Sequence, residues 1–168
     1  MTARRQEKNG WRRGIALISL TVAAVMGSAM HSGLLAATTE RVVADRLTGL
    51  AIGGVDPVAY FTEGRVVLGR ADVESSAAGV VWRFQNDDNR VFFLAHPEIY
   101  GPQFGGYDPV DVARGVAYPG NPQFWLIAGQ RLYLFGRVES RNAFAADPAA
   151  VLREANRRWP DLRETLAR

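Results

Sequence analysis

The chain has no cysteine among its 168 residues, so disulfide staples, thiolate nucleophiles and thiolate metal ligands are excluded. It has only two histidines, His31 and His96. His31 falls in the apolar N-terminal run, which leaves His96 alone for imidazole chemistry beyond it. Lysine occurs once, at Lys8, and there is no GxxxxGK[ST] phosphate loop. No G-x-S-x-G nucleophile elbow occurs. No cluster of His, Asp and Glu falls at the spacing of a three-ligand metal centre. The usual sequence signs of hydrolases, phosphoryl-transfer enzymes and zinc sites are therefore missing.

What is present begins with a basic flank and a long apolar run. Arg4, Arg5, Lys8, Arg12 and Arg13 precede GIALISLTVAAVMGSAMHSGLLAATT, residues 14–39, which holds no Asp, Glu, Lys or Arg. This layout fits an export signal over residues 1–39, with Leu35-Ala36-Ala37 as the small-residue cleavage region. The run also exceeds the roughly 18–20 apolar residues that span a bilayer, so a retained membrane anchor is the alternative. Either way the rest of the chain lies outside the cytoplasm, because positive flanks stay on the cytoplasmic side.

The leader also carries the charge. Its five basic residues against Glu7 and Glu40 account for the whole formal net charge of +3. Beyond residue 40, arginines and acidic residues are equal in number. A neutral domain lacks the electrostatic footprint of nucleic-acid binding, so the expected partners are the membrane, through the N-terminal segment, and a small ligand or another protein.

Residues 40–52 (ERVVADRLTGLAI) read as a lead-in with a mildly amphipathic helical pattern. The domain at 53–168 is organised by an internal repeat. Gly53-Gly54-Val55-Asp56-Pro57-Val58 matches Gly105-Gly106-Tyr107-Asp108-Pro109-Val110. At a spacing one residue shorter, Trp82-Arg83-Phe84 matches Tyr133-Leu134-Phe135, Phe93 matches Phe144, and Ala95-His96-Pro97 matches Ala146-Asp147-Pro148.

Asp-Pro suits a helix start, since Asp caps free backbone N–H groups and Pro presets the first helical dihedral. Asp111 sits where a capping-box carboxylate reaches back to the cap. Gly64 and Gly115 suit the stops. Residues 79–84 read as a strand, and residues 124–127 and 131–135 as a hairpin across Ala128-Gly129-Gln130. Asn86 begins a helix that Pro97 ends, and Ser140 stands as cap of its counterpart. Residues 148–158 and 160–167 read as helical tails. The expected fold is α+β, a small antiparallel sheet with short helices in two pseudo-repeated halves.

The succession Gly53 to Phe61, Asn89-Arg90-Val91-Phe92-Phe93, Pro97-Glu98-Ile99-Tyr100 and Gly105-Gly106-Tyr107 resembles the YHS-domain family. Trp125-Leu126-Ile127, Leu132-Tyr133-Leu134 and Trp159-Pro160 extend the likeness over roughly residues 50–162, and the arrangement is similar to the exported bacterial single-domain branch. The resemblance implies a small α+β module, often discussed as a metal-binding or sensing unit through Cys ligands. In the family a Cys commonly follows Gly-Gly-Tyr; here Asp108 stands there, a hard carboxylate in place of a soft thiolate. His96 stands where the family usually has Asp.

Asp108 thus has two readings, a ligand or acid–base group and a helix cap, and a carboxylate pair with Asp111 extends the first. His96 before Pro97 is either a helix-end residue that caps carbonyls or faces water, or a metal ligand. Phe104, Gly105, Gly106 and Tyr107 pair aromatics with glycines that permit close backbone approach, and with Asp108 and Asp111 they form the candidate ligand-binding segment. Its alternative is a tight crossover between the halves. The expectation is a non-catalytic, membrane-proximal binding module, with metal conceivable as cofactor only through oxygen ligands or His96. A degenerate structural or interaction domain is the alternative, and an enzyme using Asp108 and His96 the third reading.

Overall fold

Each half opens on a glycine turn, and the same elements then follow twice. The computed structural model describes residues 41–166, so the expected signal or anchor at 1–39 lies outside the described residues. In the first half a 3-10 turn (Ile52–Gly54) leads to α1 (Ala59–Thr62), β1 (Arg70–Ala77), β2 (Val80–Phe84), α2 (Asp87–Ala95) and α3 (Pro97–Tyr100). In the second a 3-10 turn (Gln103–Gly106) leads to α4 (Pro109–Val112), β3 (Asn121–Ala128), β4 (Arg131–Phe135), α5 (Val138–Ala146) and α6 (Pro148–Leu166).

The class is α+β, with short helices, as the residues suggest. Instead of one small sheet there are two separate two-stranded antiparallel sheets, β1–β2 and β3–β4. The reason is local: each hairpin leaves into a helix that packs back on it, α2 on β1 and β2, α5 on β3 and β4. Strand β1 escapes the sequence reading because Ser75-Ser76-Ala77 has no apolar alternation; pairing of Ser75 with Trp82 and Ser76 with Val81 makes it a strand.

The duplication reaches down to irregularities. A bulge separates the Arg70–Phe84 pair from Glu74–Arg83, and its counterpart separates Asn121–Phe135 from Trp125–Leu134. Behind the strands, Phe93 meets Trp82 and Phe84 with ring centroids 4.6 and 5.3 Å apart. Phe144 meets Tyr133 and Phe135 at 4.9 and 5.2 Å. Each half builds its own apolar core, but Leu132 and Leu134 of β4 belong to the first one. Tyr60 also ties the halves: its ring lies 5.0 Å from Trp125, and its hydroxyl donates to the Pro122 carbonyl at 2.9 Å.

Three local expectations need correction. Residues 41–51 form no helix. Asp45 Oδ1 accepts from the backbone N–H groups of Leu47 and Thr48, at 3.0 and 2.8 Å, closing a turn instead. The segment then docks on both halves, with Val43 N–H donating to Gly105 O and Ala51 N–H to Val81 O. Ser140 does not cap α5; the cap position is Arg137, without a side-chain bond, and Ser140 is buried inside the helix. The two tails are one helix, α6, running through Pro160. Proline removes one backbone donor there, but Trp159 and Leu162 on either side pack against the same core and hold the helix together. Among the described residues no helix is long and apolar enough to cross a membrane.

Candidate functional site

The two Asp-Pro corners define what the repeated motif does. Asp108 is the N-cap of α4, and its Oδ1 accepts from Val110 N–H at 2.9 Å, with Pro109 in the first turn. Its Oδ2 accepts from Gly136 N–H at 2.9 Å, where the chain leaves β4. Asp56 makes the matching two bonds in the first half, accepting from Val58 N–H and Gln85 N–H, both at 2.8 Å, although the cap position of α1 is Val58, two residues on. It also takes Nδ2 of the buried Asn89 at 2.7 Å. Both aspartates are 0% exposed. A short carboxylate between a helix start and a strand end satisfies backbone donors from two segments at once, which is why this corner needs Asp.

The candidate segment is split by the fold. Tyr107 is buried in the second core beside Trp159, and Gly106 lies inside at φ +89°. Gly105 does permit a close backbone approach, but to its own chain: a Cβ there would lie 1.9 Å from the Arg41 carbonyl oxygen. Asp111 is buried near Asp108 on α4, yet it does not close a capping box, because Asp108 N–H donates to Tyr118 O instead. Asp111 Oδ1 takes Arg137 Nη2 at 3.0 Å and Arg114 Nη1 at 3.5 Å. Arg137 lies over the Tyr118 ring, 5.4 Å from its centroid, and the Asp111 carboxylate raises the guanidinium pKa further. Oδ2 of Asp111 is buried with no protein partner.

His96 is not brought to this corner. It sits at the α2–α3 junction, exposed, with Nδ1 3.5 Å from Glu98. Among the described residues no three His, Asp or Glu side chains gather as a metal cage.

Phe104, in the same core as Tyr107, and Gly105 also line a groove of about 690 Å³. Its floor is Trp82, Phe93 and Phe104, all buried, and Trp159 forms a wall. Trp82 Nε1 is already satisfied by Ala77 O at 3.1 Å, so that floor presents hydrocarbon rather than a donor. Arg41 and Arg163 stand at the edge, with Glu98 and Gln103 as the other polar side chains.

The groove arises where the pseudo-symmetry breaks. Trp82 and Phe93 correspond to Tyr133 and Phe144, which share a core with Ala155, Leu152 and Trp159 of α6. Their own half has only the four-residue α3 at that position, which stops at Gly101 and Pro102. A cavity opens there behind the first aromatic pair, although Trp82 and Phe93 are as buried as Tyr133 and Phe144. The sequence pointed to Phe104 and Gly105 as lining a pocket but not to Trp82, Phe93, Trp159, Arg41 or Arg163, although one signal was present: Pro97 is followed by Gly101-Pro102 within a turn, whereas Pro148 is followed by eleven residues free of Gly and Pro.

Comparison with family models, with curated proteins and with solved structures gives no match for this chain.

Proposed function

We propose that the chain is an exported, membrane-proximal, YHS-like binding module without catalytic activity, and that it holds a small molecule in the groove beside Phe104 rather than at Asp108. The observation that carries this reading is the groove itself. A concave site of about 690 Å³ with an aromatic floor and a few polar side chains at its edge has the size and character of a small-molecule site. The non-catalytic part rests on Asp108, whose two oxygens are already engaged by the backbone N–H groups of Val110 and Gly136. A metal fits that position poorly for the same reason: an ion would have to displace two structural hydrogen bonds at a side chain with no solvent exposure.

The test is ligand-observed NMR with small amphipathic molecules on the full-length chain in lipid nanodiscs, repeated with Gln103→Trp, which fills the groove, and Asp111→Asn, which lies outside it. Binders lost only in Gln103→Trp support the proposal. Binders indifferent to Gln103→Trp contradict the placement, and an absence of binders favours the degenerate structural domain.

A further inference from the structure

We infer that the ligand of this groove is a hydrocarbon-bodied carboxylate, a fatty-acid-like molecule whose chain lies on Trp82, Phe93 and Phe104 and whose head meets Arg41 and Arg163. The inference deepens the proposed function and depends on the groove being a ligand site. Three observations select this chemistry. The lining is mostly apolar, with the half-buried Trp159 presenting its ring in front of the buried Trp82, Phe93 and Phe104, and the Trp82 indole N–H is spent on Ala77 O. A sugar or nucleobase would bring many polar groups to that lining and leave them unpaired, at a heavy desolvation cost.

The charged groups at the edge are two guanidiniums against one carboxylate. Arg41 and Arg163 are exposed, and neither makes an ion pair with an acidic side chain among the described residues. Glu98 faces His96 Nδ1 at 3.5 Å, and its carbonyl is held by Arg131 Nη1 at 2.6 Å and by Gln103 Nε2 at 3.3 Å. The planar guanidinium fork matches a carboxylate in two parallel hydrogen bonds, which a neutral or cationic head cannot make. The two arginines come from opposite ends of the described chain, Arg41 at the start of the lead-in and Arg163 near the end of α6. Only the folded state places them on one groove.

Octanoate is the probe, with octanamide as its neutral counterpart and octylamine as the cationic one. Each is titrated by calorimetry into the full-length chain in phosphatidylcholine nanodiscs, with empty nanodiscs subtracted. Octanoate should bind most tightly. Arg41→Gln/Arg163→Gln should weaken it roughly tenfold or more while octanamide binding is unchanged, the range expected for lost charge-assisted hydrogen bonds. Arg153→Gln, an exposed α6 arginine outside the groove, should have no effect. Equal binding of octanoate and octanamide, tighter binding of octylamine, or an unchanged octanoate affinity in the double variant would overturn the carboxylate assignment and leave the groove standing. If none of the three probes binds, both the assignment and the groove as a site for such molecules fall.

Discussion

Asp108 accepts a hydrogen bond from the backbone N–H of Gly136 at 2.9 Å, and so fastens the start of α4 to the end of β4 across 28 residues of chain. In the other half Asp56 fastens α1 to the end of β2 through Gln85. Replacing Asp108 with Ala removes a cap and orphans a second backbone donor, so it should cost about 2–3 kcal/mol. Asp56→Ala should cost more, up to about 4 kcal/mol, since Asn89 Nδ2 also loses its partner. Urea unfolding followed by tryptophan fluorescence gives both values, and the reverse ranking would be inconsistent with this bonding pattern.

Gly53 and Gly105 hold equivalent backbone conformations, φ +65° and +63°, in unequal surroundings. A Cβ on Gly53 meets nothing within 4 Å, so Gly53→Ala should cost only the left-handed backbone strain, about 1 kcal/mol. On Gly105 it would strike the Arg41 carbonyl, so Gly105→Ala should cost at least about 3 kcal/mol or detach residues 41–43. Thermal unfolding compares the pair directly, and hydrogen exchange at Val43 N–H, which donates to Gly105 O, reports detachment.

The Asp111–Arg137 pair sets a buried carboxylate against a half-exposed guanidinium. Arg137→Ala leaves that carboxylate with only the longer Arg114 contact and should cost about 2 kcal/mol. Asp111→Asn/Arg137→Ala together should cost less than the two single changes summed. A double-mutant cycle in urea measures this; strict additivity would mean the pair is not coupled.

Burial raises the Tyr60 pKa far above the ordinary phenol value. In the unfolded chain Tyr60 loses its proton near pH 10, while the native state keeps it. Native protein then binds more protons than unfolded protein, so stability is complete below about pH 10 and falls as pH rises beyond it. Tyr60→Phe should reduce this alkaline loss, yet cost about 1 kcal/mol at neutral pH through the missing bond to Pro122 O. Unfolding midpoints between pH 7 and 11 test both signs. Tyr133, also raised by burial, contributes to the slope that remains.

Much of the scaffold was legible in the residues, because its determinants are local. Asp-Pro corners, the Asn86 cap, the Gly64 and Gly115 stops and the β3–β4 hairpin each follow from a few adjacent side chains. Asn86 does accept from Asn89 N–H at 2.8 Å, and both glycines adopt positive φ. What was not legible depends on distant partners. Strand β1 needs Trp82 and Val81 opposite it, and Asp111 turns to Arg137 of another element. The groove draws its lining from the lead-in, the β1–β2 hairpin, α2, α3, the second 3-10 turn and α6. Its residues carry no shared spacing, and only the early stop of α3 marks where the second half of the repeat continues and the first does not.

The measurement closest to the heart of the matter is octanoate binding and unfolding of Asp108→Ala, side by side with the parent chain at a temperature where both are folded. If the repeated aspartate is scaffold and the groove is the site, the variant unfolds at lower urea and binds octanoate with the parent's affinity. A variant with the parent's stability that has lost octanoate binding would contradict both statements together.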